Sequence, residues 1–134
     1  PMVERVKTRL PNAQIWLDGG HNPAAAKALA DWLPSQIAPQ QSLHIIIGLL
    51  SSKSHTDYLA ALAATGAHIH CVPIADTPAA LAPHVLAAEA KAQGLDASPH
   101  DTIENALQAI TAPNAFILIA GSLYLAGQVL GENN

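Results

Sequence analysis

Short apolar runs alternate with helix-forming stretches along the chain, and this alternation restricts the possible folds more than any other feature. The four clearest runs cover residues 14–17, 42–47, 67–72 and 115–120, and each ends at a glycine, a proline or an aspartate. Short runs that are almost wholly apolar are typical of strands buried on both faces of a parallel sheet. The pattern predicts an α/β fold whose mostly parallel sheet has helices on both faces, with 115–120 as an interior strand.

Capping and stop residues mark the predicted helices. Asn22 suits an N-cap and Pro23 the first helical position, so a helix is predicted over 24–33, with Pro34 at its end. The other predicted helices cover 58–64 with Thr56 or Asp57 as cap, 83–93, 103–110 with Asp101 as cap, and 123–130 closed by Gly131. A short helix over 78–82 and a short edge strand over 96–98 are predicted as well.

Length, charge and cysteine content exclude several classes of protein. A chain of 134 residues that is 50% hydrophobic and 12% charged predicts a single folded domain over 1–134 rather than a disordered segment. The net charge of −4 and the absence of a basic cluster argue against binding to nucleic acid. No apolar run reaches the roughly 18 residues of a membrane span, and no signal peptide is evident. The single cysteine, Cys71, permits no intrachain disulfide, which predicts a reducing, cytoplasmic location.

Polar residues follow three of the predicted strands. Ligands of parallel sheets bind at the carboxyl ends of the strands. Segments 18–22, 48–55 and 121–122 lie at such ends, and we expect them to form one opening. Asp18 would be a fixed acceptor for ribose hydroxyls or a cation, and His21 precedes a helix whose dipole favours anions. An ordinary tight turn explains the same residues, and the pattern alone does not choose between the two.

The histidines outside these segments do not predict a metal site. His68 and His70 share one face of a strand while Cys71 points to the other face, and no further ligand is obvious. They are interpreted as strand surface beside a buried thiol, and His44 and His100 as isolated. His55 lies in the second segment, near Lys53, but the sequence assigns it no defined role.

Three ordered motifs resemble one known family. Residues 17–25, LDGGHNPAA, resemble the D-G/V-A-H-N-P signature that opens the C-terminal domain of the folylpolyglutamate synthase / dihydrofolate synthase family, part of the Mur ligase superfamily. Residues 46–54, IIGLLSSKS, are similar to its G-x-x-x-D-K-D loop, and residues 116–127, FILIAGSLYLAG, to its closing G-S-L-Y-L-x-G element. The resemblance extends from about 14 to 130 and implies a Rossmann-like fold of the Mur ligase C-terminal type.

The resemblance also implies an activity and residue roles. Enzymes of this family use ATP and magnesium to add L-glutamate to dihydropteroate, tetrahydrofolate or both, through an acyl phosphate. By this likeness Asp18 contacts ATP, His21 lies at the reacting groups, and Lys53 and Ser122 contact the glutamate. Arg5, 13 residues before Asp18, corresponds to an arginine that helps to hold ATP.

Two departures from the family limit what the chain is expected to do. Ser52 and Ser54 stand where the family loop has aspartates, which leaves Lys53 without flanking carboxylates. The sequence contains neither a Gly-x-x-x-x-Gly-Lys-Ser/Thr phosphate loop nor an evident magnesium-binding set. The resemblance places both, with the folate pocket, in an N-terminal ATPase domain. The chain is therefore expected to be a monomeric C-terminal fragment that needs that domain as its partner and is inactive alone.

Two other functions stay open from the sequence. One is a stand-alone, Rossmann-like module that binds a small molecule. The other is the C-terminal domain of a different Mur-type amide ligase, such as one acting on a peptidoglycan precursor, although the H-N-P and G-S-L-Y-L strings favour folate. The sequence does not separate dihydrofolate synthase from folylpolyglutamate synthase activity, because the deciding pterin contacts would lie in the N-terminal domain.

Overall fold

A computed structural model of the chain describes residues 2–52 and 54–133, which form one parallel sheet between two layers of helices. The strands are β1 (Gln14–Leu17), β2 (Leu43–Ile47), β3 (His68–Cys71), β4 (Asp96–Pro99) and β5 (Phe116–Ala120). The helices are α1 (Met2–Arg9), α2 (Pro23–Trp32), α3 (His55–Ala63), α4 (Pro83–Ala92), α5 (Ile103–Ala109) and α6 (Leu123–Asn133), with a 3-10 turn over Leu33–Ser35. The strand order is β1-β5-β2-β3-β4 and every pairing is parallel, so the predicted fold class is confirmed.

The two faces of the sheet carry separate apolar cores. Helices α2, α3 and α4 pack on the face that includes Phe116 and Leu118. Helices α1, α5 and α6 pack on the face that includes Ile117 and Ile119. Successive side chains of a strand point to opposite faces, so β5 supplies both cores and all five of its residues are buried. This confirms the expectation that the most apolar run is an interior strand.

The register of the strands brings the predicted ligand-binding segments to one edge. Leu17 of β1 pairs with Ile119 of β5, and Ile47 of β2 pairs with Ala120. The carboxyl ends of these three strands are therefore level. The loops that follow them leave the sheet side by side, and each leads into a helix.

Several predicted boundaries are wrong. Helix α3 begins earlier than expected, with Ser54 at its N-cap position, and Thr56 and Asp57 lie inside the first turn, where a carboxylate favours the helix dipole instead of capping it. The cap of α5 is Thr102, whose hydroxyl accepts a hydrogen bond from the Asn105 amide at 3.0 Å, and not Asp101. Helix α6 continues past Gly131, because that glycine does not adopt the positive φ that would end it.

Residues 78–82 are not helical, because their backbone pairs with the second loop. The Ser51 amide donates to the Ala79 carbonyl at 2.7 Å, and the Leu81 amide donates to the Leu49 carbonyl at 2.9 Å. Helix α1, which was not predicted from the sequence, packs through buried Met2 and Val6. The longest helix in the described part of the chain, α6, has 11 residues, about half of what a bilayer-spanning helix requires.

Candidate functional site

A cleft of about 620 Å³ opens at the carboxyl edge of the sheet. Residues from all three predicted segments contribute to its walls: His21, Leu49, Leu50, Ser52, Ser54, His55, Gly121 and Ser122. The expectation that these segments share one opening is confirmed. The cleft lies where a parallel sheet offers loops and helix N-termini to a ligand.

The first segment is a tight turn between β1 and α2. The Asp18 amide extends the strand ladder by donating to the Ile119 carbonyl at 2.9 Å, and the Gly20 amide donates to Asp18 Oδ2 at 3.3 Å. A Cβ atom on Gly20 would lie 2.5 Å from the Cβ of Ala25, so only glycine fits this turn. Asn22 caps α2 as predicted, accepting from the Ala25 amide at 2.8 Å. The turn places His21 on the surface, at the rim of the cleft.

Asp18 lines a neighbouring cavity rather than the cleft itself. This cavity, of about 470 Å³, has Trp16 and Trp32 in its wall, with ring centroids 5.4 Å apart. Burial, and then the negative charge of Asp18, raise the pKa of the Tyr58 hydroxyl above its usual range. The turn from Asp18 to His21 therefore contributes Asp18 to this neighbouring cavity and His21 to the cleft.

The second segment, residues 48–55, is fixed along one side because its backbone forms hydrogen bonds with the backbone of residues 79–81. An isolated antiparallel bridge joins Leu50 to Ala80. Beyond it, the hydroxyls of Ser52 and Ser54 lie 3.1 Å apart. Lys53, the predicted glutamate contact, lies outside the described residues, so its role stays a prediction.

His55 is the first residue of α3, and both of its ring nitrogens have close neighbours. Nδ1 lies 2.6 Å from the carbonyl oxygen of Ser52. Nε2 lies 2.6 Å from Oε2 of Glu89 on α4. The sequence did not identify this pair, because Glu89 belongs to a different helix and only the packing of α3 against α4 brings it to the cleft.

The third segment follows β5. Gly121 has a φ of 99°, and a Cβ atom there would lie 2.9 Å from the carbonyl oxygen of Gly48, so this position requires glycine. Ser122 is 4% exposed and its hydroxyl accepts from the Leu125 amide at 3.4 Å, which caps α6. The predicted residues His21 and Ser122 thus face the same cleft.

Three helix N-termini border the cleft and set its electrostatic character. Asn22, Ser54 and Ser122 are the N-terminal flanking residues of α2, α3 and α6. The first turn of a helix carries unpaired amide groups and a partial positive charge, which stabilise an anion placed there. The cleft is therefore suited to a carboxylate or a phosphate.

Comparison with known proteins agrees with this geometry. Residues 3–123 match the family described as Mur ligase, glutamate ligase domain. The chain belongs to this family. No curated protein sequence matches the chain.

Solved structures of folate ligases share the fold of this Mur ligase domain. Folylpolyglutamate synthase of Mycobacterium tuberculosis, complexed with ADP, superposes with a TM-score of 0.77 at 24% identity over 88% of this chain. A bifunctional folylpolyglutamate synthase/dihydrofolate synthase of Yersinia pestis, complexed with AMPPNP and Mn, gives 0.70 at 23% identity over 89%. A bifunctional synthase with Mn, AMPPNP and L-glutamate bound gives 0.68 at 23% over 87%. The chain spans only 29%, 28% and 28% of these three proteins.

Arg5 is not brought to the cleft of this Mur ligase domain. It lies on α1, where Nε and Nη2 bind the two carboxylate oxygens of Glu104 on α5 at 2.6 and 2.7 Å. It lines a separate cavity of about 240 Å³, together with Met2 and Val6. A role in ATP binding would require this bidentate pair to open, so that role stays a prediction.

Three histidines away from the cleft contact one another, so His44 and His100 are not isolated and His70 is not strand surface, which corrects the sequence-based interpretation, whereas His68 is exposed as interpreted. His44 Nδ1 lies 3.0 Å from His70 Nε2, and His70 Nδ1 lies 3.0 Å from His100 Nε2. His70 is only 7% exposed. Within 2–52 and 54–133, no group of three or more histidine, cysteine, aspartate or glutamate residues is arranged to hold a metal ion.

Proposed function

We propose that this chain is the C-terminal domain of an ATP-dependent folate ligase that adds L-glutamate to dihydropteroate, tetrahydrofolate or both. The observation that carries the proposal is the single cleft to which the three family-like segments contribute His21, the loop before α3, and Ser122. Membership of the Mur ligase glutamate ligase family supports it, as do the nucleotide and L-glutamate present in the solved relatives.

The proposed roles follow from what each part of the site offers. Asp18 supplies a fixed acceptor for the nucleotide beside the aromatic cavity, and His21 stands at the rim, near the reacting groups. Ser122 and Lys53 receive the incoming glutamate. In such a ligase ATP phosphorylates the substrate carboxyl group, and the amine of glutamate displaces phosphate from the acyl phosphate. Helix N-termini aimed at that region would stabilise the charge that develops in both steps.

The remaining parts of the reaction are proposed to lie outside this chain. An N-terminal ATPase domain would supply the phosphate loop, the folate pocket and the ligands of a divalent metal ion. Closure of the two domains would exclude water from the acyl phosphate. On this proposal the isolated chain is an inactive, monomeric piece of a two-domain cytoplasmic enzyme.

The test is a ligase assay on the longest polypeptide encoded in frame with this chain. The folate-ligase proposal expects phosphate release that requires ATP, L-glutamate and either dihydropteroate or tetrahydrofolate. His21→Ala should lower kcat by about 100-fold, the scale of a lost group at the reacting centre. His84→Ala, a change at an exposed histidine of α4, is the matched control and should leave kcat unchanged.

Two other outcomes would redirect the proposal. Turnover with a peptidoglycan precursor in place of folate would identify another Mur-type amide ligase. If no ATPase domain is encoded with the chain and the chain alone binds a small molecule, it is a stand-alone binding module. Either result would contradict the folate assignment while leaving the family membership intact.

A further inference from the structure

The His55 side chain is held at both of its ring nitrogens, in the wall of the cleft. Its Nδ1 faces the Ser52 carbonyl at 2.6 Å and its Nε2 faces Glu89 Oε2 at 2.6 Å. A carbonyl or a carboxylate oxygen accepts hydrogen bonds and does not donate them. The Nδ1 atom therefore carries a proton that it donates to the Ser52 carbonyl, and the contact of Nε2 with Glu89 is an ion pair when the ring is charged.

Partial burial of the His55–Glu89 pair strengthens the electrostatic attraction between the two side chains. The side chain of His55 is 15% exposed and that of Glu89 is 37% exposed, and the two contacting atoms are themselves buried. Their contact is at ion-pair distance but lacks hydrogen-bond alignment, so attraction between opposite charges is its main component. An ion pair that is partly removed from water is screened less than a fully exposed pair.

The same contacts fix the loop that precedes α3. The Ser52 carbonyl accepts from the His55 ring and, at 3.4 Å, from the His55 backbone amide. The hydroxyls of Ser52 and Ser54 lie 3.1 Å apart, which closes the turn on its other side. Glu89 belongs to α4, so its contact with His55 connects this turn to a helix that lies far from it in the sequence. The loop is thus held at 49–51 by its pairing with 79–81 and at 52 by His55.

We propose that His55 is a positioning residue: paired with Glu89, it fixes Ser52 on the amino-acid side of the cleft and thereby sets the affinity for the incoming glutamate. The loop contains Lys53 in its sequence, and serines occupy the positions where the resembled family has aspartates. In this chain the contact of His55 with the Ser52 carbonyl orients Ser52, in place of the aspartates that the resembled family has in this loop. The identity of the ligand rests on the proposed function, whereas the His55–Glu89 contact does not.

The contact itself can be tested by NMR on the 15N-labelled 134-residue chain. Long-range correlations from the His55 ring protons should show a proton on Nδ1, where the Ser52 carbonyl accepts it, and Glu89→Gln should shift the signals of the His55 ring. His84→Gln, at the exposed histidine of the same helix α4, should leave the His55 signals unchanged. A His55 ring without a proton on Nδ1, or ring signals that Glu89→Gln leaves unchanged, would overturn the proposal.

The consequence for binding is tested in the ligase assay with the longest in-frame polypeptide. His55→Gln and Glu89→Gln should each raise KM for L-glutamate about tenfold, the effect of losing one charge-assisted contact. The double variant should be no worse than either single variant, because both remove the same contact. KM for ATP should stay within about twofold, as should every parameter of His84→Gln.

The readouts separate this proposal from the proposed function. An unchanged KM for glutamate in both single variants, or equal increases in the KM values for glutamate and ATP, would refute a positioning role for His55. If NMR shows the contacts of His55 in the unsubstituted protein but the protein has no glutamate-dependent turnover, then the folate-ligase function is wrong and the glutamate part of this inference falls with it.

Discussion

The Nδ1 atom of His44 lies 3.0 Å from the Nε2 atom of His70, so strands β2 and β3 are joined by a hydrogen bond between two imidazole rings. His70 continues this contact to His100 through its other nitrogen. Each shared contact requires one ring to donate and the next to accept. Neutral rings meet this requirement with one proton each, whereas His44 and His70 cannot both be charged without setting two N–H groups against each other. The contact between these two rings is therefore lost once both are protonated.

This histidine chain predicts that the domain loses stability in mild acid. Burial, and then the neighbouring charge of His68, lower the pKa of His44 to about 4, and burial with the charges of His44, His100 and His68 lowers that of His70 to about 4. A folded-state pKa below the usual 6.5 means that the unfolded chain binds more protons, so stability is full above pH 6.5 and is lost as the pH falls towards 4. Because His44 is only half-buried, solvent screening reduces the effect, and the expected loss between pH 7 and pH 5 is on the order of 1–3 kcal/mol.

The measurement is urea unfolding at intervals from pH 7.5 to 4.5. His70→Gln should make the free energy of unfolding fall less steeply as the pH is lowered, because it removes one of the two buried groups that must become charged. His84→Gln should leave this pH dependence unchanged. The carboxylate of Asp96, which lies 2.6 Å from His68 Nδ1, opposes the lowering of the His70 pKa. Equal slopes for H70Q and the unsubstituted chain between pH 6.5 and 5 would contradict the prediction.

Gly121→Ala should destabilise the domain and deform the cleft. The φ of 99° is strained for any residue with a side chain, and the new Cβ would approach the Gly48 carbonyl oxygen at 2.9 Å. We expect a loss of about 2–4 kcal/mol in the free energy of unfolding, from strain plus steric overlap. Gly127→Ala is the control, because a Cβ there meets no heavy atom within 4 Å and alanine favours the helix. The prediction is wrong if thermal unfolding shows equal stability for the two variants.

The sequence was informative wherever local chemistry determines structure. The run 115–120 predicted a buried interior strand because an almost wholly apolar segment suits burial on both faces, and Phe116–Ala120 is such a strand. Asn22 and Pro23 predicted the start of α2 because capping depends on residues only three positions apart. The common edge for His21 and Ser122 followed from one rule, that parallel strands end together.

What the sequence missed depends on contacts between distant segments. The ion pair of His55 with Glu89 requires α4 to pack beside the start of α3, and no sequence pattern around either residue indicates this packing. The histidine chain likewise joins His44 on β2 and His70 on β3 to His100, the residue after β4, which the spacing of His68 and His70 alone could not show. Residues 78–82 were predicted as a helix because their pairing with 49–51 lies far away in the sequence. Local propensity is a weak guide where such tertiary contacts decide the conformation.

Asn22→Ala should weaken α2 and the turn that presents His21. The Asn22 side chain accepts from the Ala25 amide at 2.8 Å, and its loss leaves that donor to solvent. Replacing such a cap by alanine costs about 1 kcal/mol. Asn22→Ser retains an oxygen that can cap and should recover most of this loss. Chemical denaturation of the three proteins decides the matter, and a serine variant no more stable than the alanine variant would contradict a capping role.

Cys71 should resist thiol reagents while the domain is folded. Burial raises the pKa of its thiol to about 12, although the charge of Lys91 acts in the opposite direction. Only the thiolate attacks such reagents, so at pH 8 both the small thiolate fraction and the lack of access should keep the reaction slow. Labelling with a chromogenic disulfide should be complete within minutes in denaturant and should proceed in native buffer only at the rate of transient opening. Addition of urea below the unfolding midpoint should accelerate labelling in proportion to the open population, and rapid labelling of the native chain would show that β3 is not buried as described.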